Sequence, residues 1–315
     1  MTVLGVLVMA YGGPNSLDEV EPYLQDVRGR RPTPPEVVAE IKERYRAIGG
    51  SSPLLPHTLA QTAALQQALD RLVHTDDVAF KTFVGMRHWH PYIREALAQM
   101  SAEGIRRAIG LVMAPHYSAM SVGAYFRKVE EAGFPVEVAP IESWHLLDSY
   151  LQTLALRVQD GLARFPVRER AGIPVLFTAH SLPARILENG DPYRDQLLQT
   201  VAGVIALLGP QPHEFAFQSA GRTAEPWLGP DAGEVIRRLA EEGYRNVLVA
   251  PIGFLVEHVE VLYDVDIEYR RLAESLGMHL ERIQLVDAAP EMMSGLARLV
   301  AQRAREKGWL RSGES

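Results

Sequence analysis

The chain has 315 residues, 47% of them hydrophobic and 23% charged, enough to bury one large core or two of ordinary size. Its net charge of −7 argues against a general nucleic-acid binder, and the lack of cysteine excludes disulfides, thiolate metal sites and cysteine-ligated iron–sulfur clusters. No apolar run approaches the ~18–20 residues of a membrane span, and "MTVLGVLVMAYGGP" lacks the basic start of a signal peptide, so a cytoplasmic protein is expected.

The first short, apolar, β-branched run is Val3–Ala10, followed by helical patterns at Pro35–Ile48 and Leu59–Val73. Strand Ala79–Val84, helix Ile93–Met100 and strands Ala108–Ala114 and Val136–Ile141 come next. Helix Leu147–Phe165 then opens a second series: strand Val175–Ala179, helix Gln196–Leu208, and strands Glu214–Gln218, Val247–Ile252 and Leu280–Val286. Helix Glu291–Glu306 ends the pattern, and the tail "RSGES" reads as frayed. Strands alternating with helices predict right-handed βαβ units and parallel sheets. The eight strands divide four and four near Glu142. An α/β fold of two similar Rossmann-like domains is expected, each a four-stranded parallel sheet flanked by helices, facing one another across a cleft. The boundaries are 1–142 and 143–290, with the C-terminal helical segment 291–315 packing back on the first domain.

In open α/β sheets ligands bind outside the carboxyl ends of the strands. That rule selects "YGGP" (Tyr11–Pro14), "PHYS" (Pro115–Ser118), "HSLP" (His180–Pro183), "SAGR" (Ser219–Arg222) and "IGFLVEH" (Ile252–His258). His180 ends a strand, where a neutral imidazole can act as a base or bind a divalent metal; a hydrogen-bonded turn histidine is the plain alternative. Glu260, Asp264 and Glu268 recur every fourth residue, with Glu257 just before them. On one α-helix they would share a face and repel by about 0.2–0.5 kcal/mol per pair. A solvated acidic face would explain them, but apolar Val259, Val261, Leu262 and Ile267 surround them. Crowded carboxylates can instead share protons or hold a hard cation. Arg28, Arg30 and Arg31 cluster in "DVRGRRPTP" as an exposed basic loop or as partners for substrate carboxylates. His88 and His90 in "RHWHPY" read as structural. Neither GxGxxG nor GxxxxGK[ST] follows the first strand, so nucleotide binding has little support.

Taken in order, "LVMAYGGP", "RYRAIGGSSPL", "APHYSAMSVGAY", "TAHSLP", "QSAGRTAEPWLGP" and "PIGFLVEHVEVLYDVDIE" resemble the ferrochelatases, which insert ferrous iron into a porphyrin. The likeness runs from about Val3 to Glu306. It implies His180 and Glu260 as the paired catalytic and metal-site residues, one from each side of the metal path. It implies Asp264 and Glu268 as an acidic path for metal or protons, where a second divalent cation could sit. Tyr11 corresponds to the tyrosine beside the metal in the coproporphyrin-using bacterial branch, where the protoporphyrin branch tends to carry methionine. It would be an axial ligand of the product iron. Arg28, Arg44, Tyr45, Ser52 and Tyr125 match positions that contact the porphyrin and its carboxylates.

The resemblance thus implies a haem-biosynthetic lyase with Fe2+ as substrate, no permanently bound cofactor and no iron–sulfur cluster. Its expected partners are coproporphyrin III and iron, in a cytoplasmic monomer with transient contact to neighbouring haem-pathway enzymes. The expected mechanism bends the tetrapyrrole, lets neutral His180 take pyrrole protons or hold iron with Glu260, and brings Tyr11 to the opposite face. Protoporphyrin IX remains the alternative substrate. A cobalt or nickel sirohydrochlorin chelatase would need a second metal-facing histidine, for which His116 is the candidate. A haem carrier would not need the acidic row.

Overall fold

A computed structural model of the protein describes residues 2–73, 78–221 and 223–311. Arg222 of the "SAGR" turn and the last four residues of the "RSGES" tail lie outside them. The chain divides into two compact units, Met1–Trp144 with Asp287–Ser315, and His145–Val286.

The first unit is built on β1 (Thr2–Ala10), β2 (Val78–Met86), β3 (Arg107–Val112) and β4 (Glu137–Ile141). All pair in parallel, in the order β2-β1-β3-β4. Helices α1 (Val20–Val27), α2 (Pro35–Ala47), α3 (Leu54–Leu72), α4 (Ile93–Ala102) and α5 (Val122–Ala132) connect them. The C-terminal helix, Pro290–Glu306, packs on α3, β3 and β4. Leu4 and Val6–Met9 of β1 are fully buried, as a strand covered on both faces requires. Leu7, Met9, Phe83, Leu97 and Met100 form the core on one side of the sheet.

The second unit repeats the plan with β5 (Val175–His180), β6 (His213–Gln218), β7 (Asn246–Ala250) and β8 (His279–Arg282), in the order β6-β5-β7-β8. Its helices are α6 (Asp148–Ala163), α7 (Tyr193–Leu208), α8 (Ala232–Glu241), α9 (Val259–Leu262) and α10 (Arg270–Ser275). The Asp231 carboxylate starts α8 by accepting from the Gly233 and Glu234 amides. Between α9 and α10 the chain forms a π-helical segment, Asp264–Tyr269, where the Glu268 amide reaches back five residues to the Tyr263 carbonyl at 2.9 Å.

All eight expected strands form, but β8 is four residues rather than the Leu280–Val286 run. Leu285 and Val286 are buried without being paired, and an apolar run reports burial more directly than it reports a ladder. Among the described residues no helix is long and apolar enough to cross a membrane.

In each sheet the strand order reverses beside the first strand of the unit, at β1/β3 and at β5/β7. These are topological switch points, where an open α/β sheet leaves a crevice at its carboxyl end. Tyr11 follows β1, His180 ends β5, and Glu260 lies on the segment after β7.

Candidate functional site

In the second unit, the β5–β6 register sets His180 opposite Gln218. After β7 the chain crosses the end of β5, and the Gly253 amide bonds the Thr178 carbonyl at 3.2 Å. A Cβ on Gly253 would stand 2.7 Å from that of Ala179, so only glycine allows this approach. The crossing sets Glu260 against the strand end. His180 Nε2 lies 3.5 Å from Glu260 Oε1, and about a third of each side chain is exposed. Both residues come from the second unit.

The other ring nitrogen, His180 Nδ1, donates to the Ser181 carbonyl. That bond assigns the proton to Nδ1 in the neutral ring and leaves the Nε2 lone pair toward Glu260. His258 repeats the pattern: Nδ1 donates to the Val256 carbonyl at 3.1 Å, and Nε2 stands 3.6 Å from Glu260 Oε2. Each carboxylate oxygen of Glu260 therefore faces one imidazole. Burial opposes a charge on His180, but the Glu260 charge and hydrogen bond, the Ser181 carbonyl and Asp264 outweigh it and raise its pKa to about 8. Burial also opposes the charge on Glu260, and His180 followed by His258 overcomes it, holding the carboxyl far below the usual range. With the pKa raised to about 8, His180 carries a proton at pH 7 and faces the Glu260 carboxylate as an ion pair.

Three residues that sequence reasoning gave no role support the site, two of them bonded to this pair and one to Asp264. Buried Gln218 accepts from the Thr178 hydroxyl at 2.7 Å and donates to the Glu260 backbone carbonyl at 2.7 Å. The Tyr193 hydroxyl donates to the His180 carbonyl at 3.0 Å, and burial keeps its phenol protonated by raising its pKa. Ser219 adopts φ +58°, a left-handed conformation costing about 1–3 kcal/mol, and its hydroxyl donates to Asp264 Oδ2 at 2.5 Å. For Gln218 and Ser219 the usable signal was their place beside His180 at the end of β6.

The acidic row is graded in burial. Asp264, only 5% exposed, is its deepest member rather than Glu260, while Glu268 is exposed. The backbone is also not a continuous α-helix. Four residues overshoot an α-helical turn but fall short of the wider π turn, so the two drifts offset one another along the row. Among the described residues no three His, Asp or Glu side chains converge as a metal-ligand set.

In the first unit, the β1–β2 register continues past Ala10↔Met86, with the Arg87 amide bonding the Ala10 carbonyl and the His88 amide the Tyr11 carbonyl, each at 2.9 Å. Tyr11 is 40% exposed. Its ring lies 4.7 Å from that of His88, whose Nδ1 stands 2.7 Å from Asp26 Oδ1. Burial holds His88 below the usual histidine range despite that carboxylate. The Arg87 guanidinium lies 5.8 Å from the Tyr11 ring and 5.5 Å from the ring of buried Tyr125. Such contacts contribute about 0.5–1 kcal/mol at exposed sites and more when desolvated. Arg87, passed over in "RHWHPY", thus joins two expected site residues.

Ser52 is drawn to the "YGGP" turn through its amide, which bonds the Pro14 carbonyl at 2.8 Å. A Cβ on Gly13 would come within 2.4 Å of Ser52 Oγ, so the glycine permits Ser52 to sit this close to the turn, with Tyr45 Oη nearby at 3.7 Å from the same point. Arg44, on α2, pairs with Glu40 at 3.2 Å. Arg28 caps α1 and is exposed. His116 is buried in this unit.

The family model described as Ferrochelatase matches residues 3–304. A Herpetosiphon aurantiacus protein named "Ferrochelatase" is 43% identical over 299 residues, 94% of this chain and 97% of that protein. A Geobacillus kaustophilus protein named "Coproporphyrin III ferrochelatase" is 39% identical over 309 residues, 96% of this chain and 97% of the relative. Among solved structures, "SirB from Bacillus subtilis with Fe3+" superposes with a TM-score of 0.56 at 13% identity, covering 99% of this chain and 100% of that one, a likeness of fold alone.

Proposed function

The chain belongs to the ferrochelatase family, enzymes that insert iron into a porphyrin, and we propose that its porphyrin is coproporphyrin III and that His180 and Glu260 carry the metal chemistry. The observation that carries the site assignment is the His180 Nε2–Glu260 Oε1 approach of 3.5 Å with Nδ1 tied to Ser181. When His180 is neutral, the tied nitrogen leaves the Nε2 lone pair for either of two tasks, accepting a pyrrole proton or meeting Fe2+. Glu260 balances the charge of the imidazolium in the first case and supplies a second donor in the second. Arriving iron must displace the proton that His180 carries at neutral pH, so metal uptake and proton release are linked.

Coproporphyrin III is favoured by Tyr11 in the first motif, by the name of the Geobacillus relative, and by the supply of cations in the first unit. Arg28 and Arg44 are assigned to substrate carboxylates, with Tyr45, Ser52 and Tyr125 lining the same substrate. Tyr11 is assigned as the axial ligand of the product iron. Anaerobic initial rates with Fe2+ should favour coproporphyrin III, with its four carboxylates, over protoporphyrin IX, with two. Equal or faster turnover of protoporphyrin IX would overturn the substrate assignment.

Asp264 and Glu268 are assigned to a path for cations or protons that ends at Glu260. Asp264→Asn and Glu268→Gln should each raise the iron concentration needed for half-maximal rate while leaving kcat nearer the parent. Asp264→Asn should have the larger effect, because its carboxylate is buried against the Ser219 hydroxyl. Unchanged iron dependence in both variants would reduce the row to an ordinary acidic face.

A further inference from the structure

Two acids of the same segment are withheld from the row by one cation. Arg282, at the end of β8, bonds Asp266 through Nε and Nη2, each at 2.8 Å. Its two terminal nitrogens also reach Glu257 at 3.1 and 3.2 Å. The guanidinium side chain is only 13% exposed, and Nη1 additionally donates to the Ile283 carbonyl at 3.0 Å. Arg270 stands at the edge of this group, its Nη2 4.0 Å from Asp266 Oδ1.

The placement of the two carboxylates matters more than the number of bonds. Glu257 precedes Glu260 by three residues, and Asp266 follows Asp264 by two. Between them run α9, only four residues long, and the start of the π segment. Helices that short do not hold their own register in water. External anchors must set it. Val265 supplies one by packing into the core of the unit, and Gln218 supplies another at the Glu260 carbonyl. Arg282 fastens both flanks to the edge of the sheet with charge-assisted bonds, the strongest kind this segment makes.

We infer that Arg282 is a positioning residue for iron insertion: by clamping Glu257 and Asp266 it fixes the register that presents Glu260 to His180, and it neutralises two carboxylates that would otherwise compete for the incoming cation. This rests on the iron-insertion reading above. A purely stabilising ion pair makes a different forecast, because exchanging a buried ionic cluster for neutral groups of similar size is often neutral or stabilising.

The test compares the parent with Arg282→Lys and with the triple variant Arg282→Met, Glu257→Gln, Asp266→Asn. It measures anaerobic kcat, the iron KM, thermal midpoint and amide exchange over residues 259–269. Lysine keeps the charge but cannot bridge both carboxylates in two-point fashion. It should leave the midpoint near the parent's while kcat falls several-fold and the segment exchanges faster. The triple variant should melt at or above the parent and lose about tenfold or more in kcat, the scale on which small misplacements act in organised sites. Parental kcat in either folded variant would overturn the inference, and should the triple variant not fold, the lysine variant decides alone. A parent inactive with every porphyrin would defeat the functional reading instead, and the exchange measurement would still support or overturn the clamp.

Discussion

Replacing His180 by alanine should lower iron insertion by roughly two to four orders of magnitude, the range over which a positioned proton-transfer group contributes. The loss follows from what remains. Without the His180 ring, Glu260 Oε1 loses its imidazole partner and His258 stays beside the other oxygen. The fold should survive, because the bond from Tyr193 reaches the His180 backbone carbonyl, which alanine retains, and the strand residues Val175–Ala179 are buried without the ring. Porphyrin should still bind, since the residues assigned to it are elsewhere in the chain. Porphyrin fluorescence quenching, a thermal melt and an anaerobic rate on one preparation separate these effects. Turnover near the parental rate would remove His180 from the chemistry.

The strands were legible because a parallel sheet covered on both faces demands long apolar runs, and Val3–Ala10 and Val175–Ala179 show that demand without ambiguity. Burial without pairing defeats the same signal, which is why β8 stops at Arg282 while Leu285 and Val286 stay inside. His180 could be found from its place at a strand end. The partnership with Glu260 needed the spacing of the acids and the family likeness as well. The π segment was hidden, because a four-residue spacing of acids suits an α-helix and a π turn equally. Arg282 and Tyr193 were also hidden. Neither sits in a motif, and each reaches its partner through tertiary placement that no local pattern encodes. Arg87 lay between these cases: once Ala10 pairs with Met86, the next residue of each strand must be Tyr11 and Arg87.

Changing Glu260 to glutamine should nearly eliminate activity and also move the pH at which the remaining activity turns on. In the metal-free parent, the state that meets iron, His180 titrates at about 8. One unit below that midpoint about nine rings in ten are protonated, and only the unprotonated ring offers Nε2 to the metal. The iron KM of the parent should therefore fall about tenfold per unit as pH rises toward 8, then level off. The groups that raise the midpoint are Glu260 first, the Ser181 carbonyl next and Asp264 last, against burial, which lowers it. Glutamine removes the largest of them, so burial regains ground and the midpoint must move down. The break in the iron KM should shift to lower pH, while kcat stays depressed throughout for want of the carboxylate. Stability obeys the same signs. A histidine raised above its ordinary 6.5 contributes stability that is full below that value and is lost as pH rises through about 8. Glu260, held below its ordinary 4.5, contributes stability that is present above that value and lost as pH falls. The pair therefore stabilises most between about 4.5 and 6.5, and Glu260→Gln should lower the thermal midpoint more at pH 6 than at pH 9. Rates and melts across that range decide the matter: a break in the iron KM that stays at pH 8 in the glutamine variant would mean that Glu260 does not set the proton affinity of His180.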